Sequence, residues 1–245
     1  MLVSSALITG LGLGSMYGLL ALIACAAWGV FVERVAVRPF VRRGSNSWLM
    51  ATVALGIVLE NVVLFTFGKD PRGMPPGFLT AQSVTVAGLK IQLLQMLIPI
   101  VGLALAFGLH LFFQGTRHGK ALLAVVQNTN AARLMGIDVE RVTTLSFALS
   151  GLLAGVAGIM VAPLFTISST MGTLFGIKAF AVAILGGIGS AWGVVLAGLI
   201  YGIAEGLVTA SLGSIYTQIV SFALVIVSLV VMPNGLFGRA EVRKV

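Results

Sequence analysis

Charged residues are sparse along the chain, and the gaps between them are long and apolar. A membrane helix needs about 20 apolar residues to cross about 30 Å of hydrocarbon. The charge gaps predict a first segment over Leu2–Val32, then segments near 48–67, 91–113 and 142–162. From Ala179 to Phe237 there are 59 residues with a single charge, Glu205, too many for one span or two. Glycine-rich breaks at Gly186–Ser190 and Gly213–Ser214 divide this run into segments near 174–187, 191–210 and 216–232. The predicted fold class is all-α, a polytopic transmembrane helical bundle of about seven membrane segments forming one domain over 1–245. The first segment is anomalous. As a helix of 31 residues it would be about 46 Å long, too long for one untilted span and too short for two with a turn.

Composition sharpens this picture. Of 245 residues 58% are hydrophobic and 9% charged, against about 25% charged in a soluble domain. So few charges cannot cover a soluble surface, and the apolar content excludes disorder. One cysteine, Cys25, excludes an internal disulfide framework. With His110 and His118 it makes too small a set for an ordinary structural zinc site. The first side-chain charge is Glu33. A secretory signal has a basic region ahead of its apolar core, so the apolar start reads as a retained membrane segment.

Orientation follows from where Lys and Arg lie, since they favour the cytoplasmic side. Loop 33–47 carries Arg34, Arg38, Arg42 and Arg43; loop 114–141 carries Arg117, Lys120, Arg133 and Arg141; the tail carries Arg239, Arg243 and Lys244. Loop 68–90 holds Lys69, Arg72 and Lys90 in a turn-rich setting of Asp70, Pro71, Gly73, Pro75, Pro76 and Gly77. Placing the three richer regions inside puts the N-terminus outside and the C-terminus in the cytoplasm. The net charge of +8 then reflects topology. No basic stripe with interleaved aromatics points to nucleic acid.

Several glycines are spaced by four: Gly10, Gly14 and Gly18; Gly198, Gly202 and Gly206; Gly151 and Gly155; Gly189 and Gly193. On a helix such strips let backbones approach closely. They serve either fixed packing or the sliding of helices during transport. Three charges, Glu60, Lys178 and Glu205, lie in or beside apolar runs, where a charge must face protein or a water-filled path. Glu205 reads either as a pathway residue or as a satisfied structural carboxylate. Lys178 is expected to snorkel to the interface. The string Gly186-Gly187-Ile188-Gly189-Ser190 is either a broken helix whose freed backbone groups bind substrate or a tight turn between spans.

The chain shows no catalytic constellation. The nearest string to a phosphate-binding loop, Gly115-Thr-Arg-His-Gly119-Lys120-Ala121, has the wrong spacing and ends in alanine. Neither a zinc-protease nor a serine-hydrolase motif occurs. The chain is therefore not expected to be an enzyme, and energy for active transport would come from a partner or an ion gradient.

The loop 114–142 is the longest one placed inside and only half polar. Residues 120–135 predict a short amphipathic helix with small Ala131 and Ala132 on it. Gly136 ends that helix and Asp138 starts the next. A basic helix with a small face reads either as a docking element or as a solvated loop helix with no partner.

Here the residues resemble a known family. Ala131-Ala132-x-x-x-Gly136 looks like the coupling motif of ABC importer permeases. Residues 117–245 resemble the branched-chain amino acid ABC transporter permease family through Asn130-Ala-Ala-Arg-Leu-Met-Gly-Ile-Asp138, Gly176-Ile-Lys-Ala-Phe180, Ile184-Leu-Gly-Gly-Ile-Gly-Ser190, Gly202-Ile-Ala-Glu-Gly206 and Met232-Pro-Asn-Gly-Leu-Phe-Gly238. Gly10–Leu22 and Glu33-Arg34-Val35-Ala36-x-Arg38-Pro39 match as well. The resemblance implies a multi-pass inner-membrane permease. It implies ATPase coupling through Asn130, Ala131, Ala132, Arg133, Gly136 and Asp138; the substrate pathway is expected, from the broken apolar run and the intramembrane charge, near Gly186, Gly187, Gly189 and Glu205. It also implies ABC ATPase subunits that carry ATP-Mg, a second homologous permease subunit, an extracytoplasmic substrate-binding protein, and no cofactor on this chain itself. Leucine, isoleucine, valine or a related small molecule is the implied substrate.

One departure stands out. The family's second span bears an Asn-Phe-Ala-His-Gly string that is absent here. Leu20-Ala21-Leu22 runs almost directly into Gly29-Val30-Phe31-Val32-Glu33-Arg34, as if roughly 40 residues, about two span lengths, were missing and two partial spans were fused. The missing segment makes one alternative a shortened, transport-incompetent paralogue acting as a membrane scaffold; Glu205 offers another, an ion-coupled carrier.

Overall fold

The computed structural model describes residues 2–42, 47–73, 83–86, 89–187 and 190–213, with a few positions beyond. The described chain is helical except for one hairpin. Helix α1 (Leu2–Val32) runs without a break into a π-helical turn (Glu33–Val37) and on into α2 (Arg38–Arg42). The fusion expected near Leu22 is therefore a single continuous helix. Pro39 accounts for the widened turn: it has no N–H to give the preceding turn, and its ring needs room against the carbonyl four residues back. The Arg38 N–H instead reaches the Glu33 carbonyl.

Helix α3 (Trp48–Phe67) has the bounds predicted from sequence and ends at Gly68, whose φ is +85°. No residue of α3 is buried. Two of its polar side chains bond to their own helix: Asn61 Nδ2 donates to the Ile57 carbonyl at 2.8 Å, and Thr66 Oγ1 to that of Val62 at 2.6 Å. In lipid no water is at hand to satisfy such groups, so this self-pairing is what lets them stay.

After the turn-rich stretch, of which residues 74–77 lie outside the described residues, comes an antiparallel hairpin of β1 (Ser83–Val86) and β2 (Leu89–Gln92), with Ser83 opposite Gln92 and Val86 opposite Leu89. Helix α4 (Leu93–Gly115) follows, then α5 (Arg117–Gln127), α6 (Thr129–Leu134), α7 (Val139–Val161), a 3₁₀ turn (Ala162–Leu164), α8 (Met171–Gly186) and α9 (Ala191–Leu212). Five helices among the described residues are long and apolar enough to cross a membrane; α8 is apolar but shorter. The seventh expected segment, 216–232, falls mostly outside the described residues.

The chain divides into two compact units. One comprises residues 1–96 and 112–169, the other 97–111 and 170–245. In the first, α1 packs on α7 through glycine. A Cβ on Gly29 would stand 2.1 Å from the Phe147 carbonyl oxygen, one on Gly151 2.3 Å from that of Cys25, and one on Gly155 3.0 Å from the Cys25 side chain. The Gly151–Gly155 strip thus serves packing. At the other end of α7, Arg72 and Ile167 exchange backbone hydrogen bonds of 2.9 and 2.8 Å, tying the segment after α3 to the segment after α7.

In the second unit α8 and α9 form a tight helical hairpin. A Cβ on Gly186 would meet Val194 Cα at 2.5 Å. Gly187 turns the chain at φ +89° and Gly235 lies against it at φ +76°. Ala181, Ala197 and Tyr201 are buried there, and the His110 ring meets Trp192 edge-on. Gly198 of the predicted Gly198–Gly202–Gly206 strip faces Val182, whereas among the described residues nothing lies within 4 Å of a Cβ placed at Gly202 or Gly206.

Candidate functional site

The loop between α4 and α7 is built from consecutive caps. Thr116 Oγ1 accepts the Gly119 N–H at 3.0 Å and opens α5. Gly119 lies so close to Phe112 that a Cβ would meet the carbonyl there at 2.2 Å. The single helix expected over 120–135 is two helices. Asn128 leaves the helical region (φ −157°, ψ 100°) and its Oδ1 accepts the Ala131 N–H at 3.0 Å, so α6 starts afresh. An asparagine that bonds backbone in this way competes with helix continuation.

Helix α6 ends in a double closure. The Ile137 N–H reaches the Ala132 carbonyl and the Gly136 N–H that of Arg133, both at 3.0 Å, with Gly136 at φ +80°. This is a Schellman motif, which calls for a left-handed residue at that place, as the sequence predicts for Gly136. Asp138 then caps α7: its Oδ1 accepts the Arg141 N–H at 3.1 Å and its Oδ2 pairs with Arg141 Nε at 2.8 Å. Of the six predicted coupling residues, Asn130, Ala131, Arg133, Gly136 and Asp138 are exposed; Ala132 alone is buried. Sequence reasoning passed over Leu134 and Met135, which stand 88% and 81% exposed at the tip of α6. Two bare apolar side chains on a polar loop are the signal that could have found them.

The predicted pathway residues fall in the second unit. Gly186 and Gly187 form the α8–α9 turn, Ser190 Oγ accepts the Gly193 N–H at 3.1 Å to cap α9, and Gly189 lies outside the described residues. The Gly187 N–H reaches the Ile184 carbonyl at 3.1 Å, and the Ser190 N–H reaches the Gly187 carbonyl at 3.0 Å. Lys178 does not snorkel: its Nζ pairs with the Glu205 carboxylate across the hairpin, and each side chain is a little over a quarter exposed. Inside an apolar layer a nearby carboxylate is a better partner than a distant interface. No cluster able to hold a metal ion occurs among the described residues.

Comparison with known proteins decides the family. A model described as the branched-chain amino acid transport system permease component matches residues 1–229. The chain belongs to this family. It is 36% identical to the high-affinity branched-chain amino acid transport system permease protein LivH of Escherichia coli K12, over 92% of this chain and 74% of that one. With BraD of Pseudomonas aeruginosa it shares 35% over 92% and 75%. The ribose import permease RbsC of Escherichia coli K12 is 28% identical over 87% and 68%, so likeness extends to a permease named for a sugar. About a quarter of the LivH and BraD chains has no counterpart in the aligned stretch. No solved structure matches.

Proposed function

We propose that the chain is a membrane-spanning permease subunit of an ATP-driven importer for branched-chain amino acids or a related small substrate. It pairs with a second homologous permease subunit, receives substrate from an extracytoplasmic binding protein, and docks an ATPase through loop 114–142. ATP and magnesium belong to the ATPase partners. The observation that carries this reading is α6: a short helix, stopped at both ends by its own caps, that presents Leu134 and Met135 to solvent. Exposed apolar side chains on a rigid frame are what a partner's groove can bury. The frame belongs to a chain of the branched-chain permease family.

The basic residues of loops 33–47 and 114–141 favour the cytoplasm for both, and geometry within the first unit fits the alternation of spans that this requires. The end of α1 meets the start of α7, and the segments following α3 and α7 are bridged. Strict alternation of spans asks for those same pairings. The α8–α9 hairpin, with Gly186, Gly187, Gly189 and the Lys178–Glu205 pair, is the proposed lining of the substrate path.

Co-purification with the cognate ATPase pair in detergent tests the reading. The wild-type chain captures the ATPase, and Gly136→Asp, which places a side chain on a left-handed backbone, loses it. A wild-type chain that purifies alone overturns the docking assignment.

A further inference from the structure

The foot of α1 and the first turn of α7 share a polar cluster that has no part in the docking surface itself. Glu33 is 2% exposed, a buried charged side chain among the described residues. Its Oε1 accepts Arg38 Nε at 3.1 Å. Arg38 Nη2 donates to Thr144 Oγ1 at 3.0 Å, and Arg38 Nη1 faces Glu140 Oε2 at 3.5 Å. One guanidinium thus holds carboxylates from two different elements. Glu33 opens the π-helical turn, a form found mostly as single turns inside α-helices and frequently at functional sites.

Thr144 has one hydroxyl proton and two acceptors in reach. Glu33 Oε2 lies at 3.1 Å and the Glu140 carbonyl of its own helix at 2.8 Å. A hydroxyl donates to one of them at a time. In one arrangement the proton serves the backbone of α7; in the other it ties α7 to the π-turn. The chain segment leading here is short and stiff. The Schellman closure of α6 passes directly to Asp138, which caps α7, and Glu140 lies in the first turn of that helix. A displacement of α6 therefore arrives at the turn that carries Glu140 and Thr144.

We propose that Glu33, Arg38, Glu140 and Thr144 form the joint that passes movement of the ATPase-facing loop to α1, with the Thr144 hydroxyl exchanging between the Glu140 carbonyl and the Glu33 carboxylate. These are positioning residues, and the proposal rests on the reading of loop 114–142 as the docking element.

The test uses the full complex, with ATPase pair, partner permease and binding protein, in proteoliposomes. It measures leucine uptake per ATP hydrolysed alongside ATPase capture. Thr144→Val keeps the side-chain shape and leaves the Glu33–Arg38 pair in place. Thr144→Ser restores the hydroxyl. The double change Glu33→Leu with Arg38→Met removes the pair without stranding a buried charge, a replacement that folded proteins commonly tolerate. The valine and double variants are expected to hold the ATPase while uptake per ATP falls about tenfold, the scale of an ordinary coupling between sites; serine recovers it. Unchanged coupling with valine overturns the joint, and so does a serine variant as poor as valine, since packing would then be the cause. Failure of the wild-type chain to hold the ATPase overturns the docking reading and the joint with it.

Discussion

Gly18 and Gly29 lie on the same helix and meet opposite surroundings. A Cβ at Gly29 would stand 2.1 Å from the Phe147 carbonyl oxygen, whereas among the described residues nothing lies within 4 Å of one at Gly18. Gly29→Ala therefore forces α1 and α7 apart, and the cost is about 1–3 kcal/mol, as for other overpacked contacts. Gly18→Ala has only helix propensity to gain, about 1 kcal/mol. Thermal unfolding in detergent should show a lower midpoint for the first variant and an equal or higher one for the second. Sequence spacing treats these positions poorly. It singles out Gly18 for its place in a run of fours and passes over Gly29, although 11 residues apart the two share a face, because spacing marks a face without revealing how far along it a neighbour packs. Gly202 and Gly206 teach the same lesson beside Gly198. Gly136 was legible, since its requirement is local: a helix that stops there needs a left-handed residue.

Among elements, the α8–α9 hairpin is held at its turn by Gly186 against Val194 and along its length by Lys178 with Glu205. Lys178→Met leaves the Glu205 carboxylate without its cation in an apolar layer. The expected loss is about 2 kcal/mol, below that of a fully enclosed pair because both side chains keep some exposure. Adding Glu205→Leu should recover most of it. Unfolding midpoints of the single and double variants check this; an equal loss in both would deny the pairing its role. Element bounds were largely readable in the sequence, α3 to the residue, because an apolar run flanked by charge defines a span by itself. The hairpin was missed although Ser83-Val-Thr-Val and Leu-Lys-Ile-Gln alternate around Ala87-Gly88; turn residues earlier in the loop hid that signal. The single amphipathic helix failed at Asn128 because a cap and a helix interior draw on the same side chain. The joint at Glu33 was illegible for a different reason. Its partners Glu33 and Thr144 are 111 positions apart, and only the packing of α1 on α7 brings them together.

For the whole molecule, the alternation of spans makes a prediction about sidedness. Cys25, the sole cysteine, is replaced by alanine, and single cysteines are introduced as Leu134→Cys and Asp70→Cys. In intact cells an impermeant thiol reagent should label position 70 and spare position 134 until the membrane is opened. The reverse pattern would invert the topology, and with it the docking surface. Residue 134 stands 88% exposed, so its labelling reports which side of the membrane α6 faces.

The two ends of α7 also bear on how this unit can move. Arg38 and Thr144 anchor one end to the foot of α1, and the Arg72–Ile167 bridge anchors the other to the segment after α3. A helix so tethered cannot spin about its long axis without shearing both tethers at once. A shared slide that carries α1, α7 and the segment after α3 leaves them intact and is the least opposed displacement. Deuterium uptake at the Arg72 and Ile167 amides would stay slow throughout such a slide and rise together if α7 rotated alone.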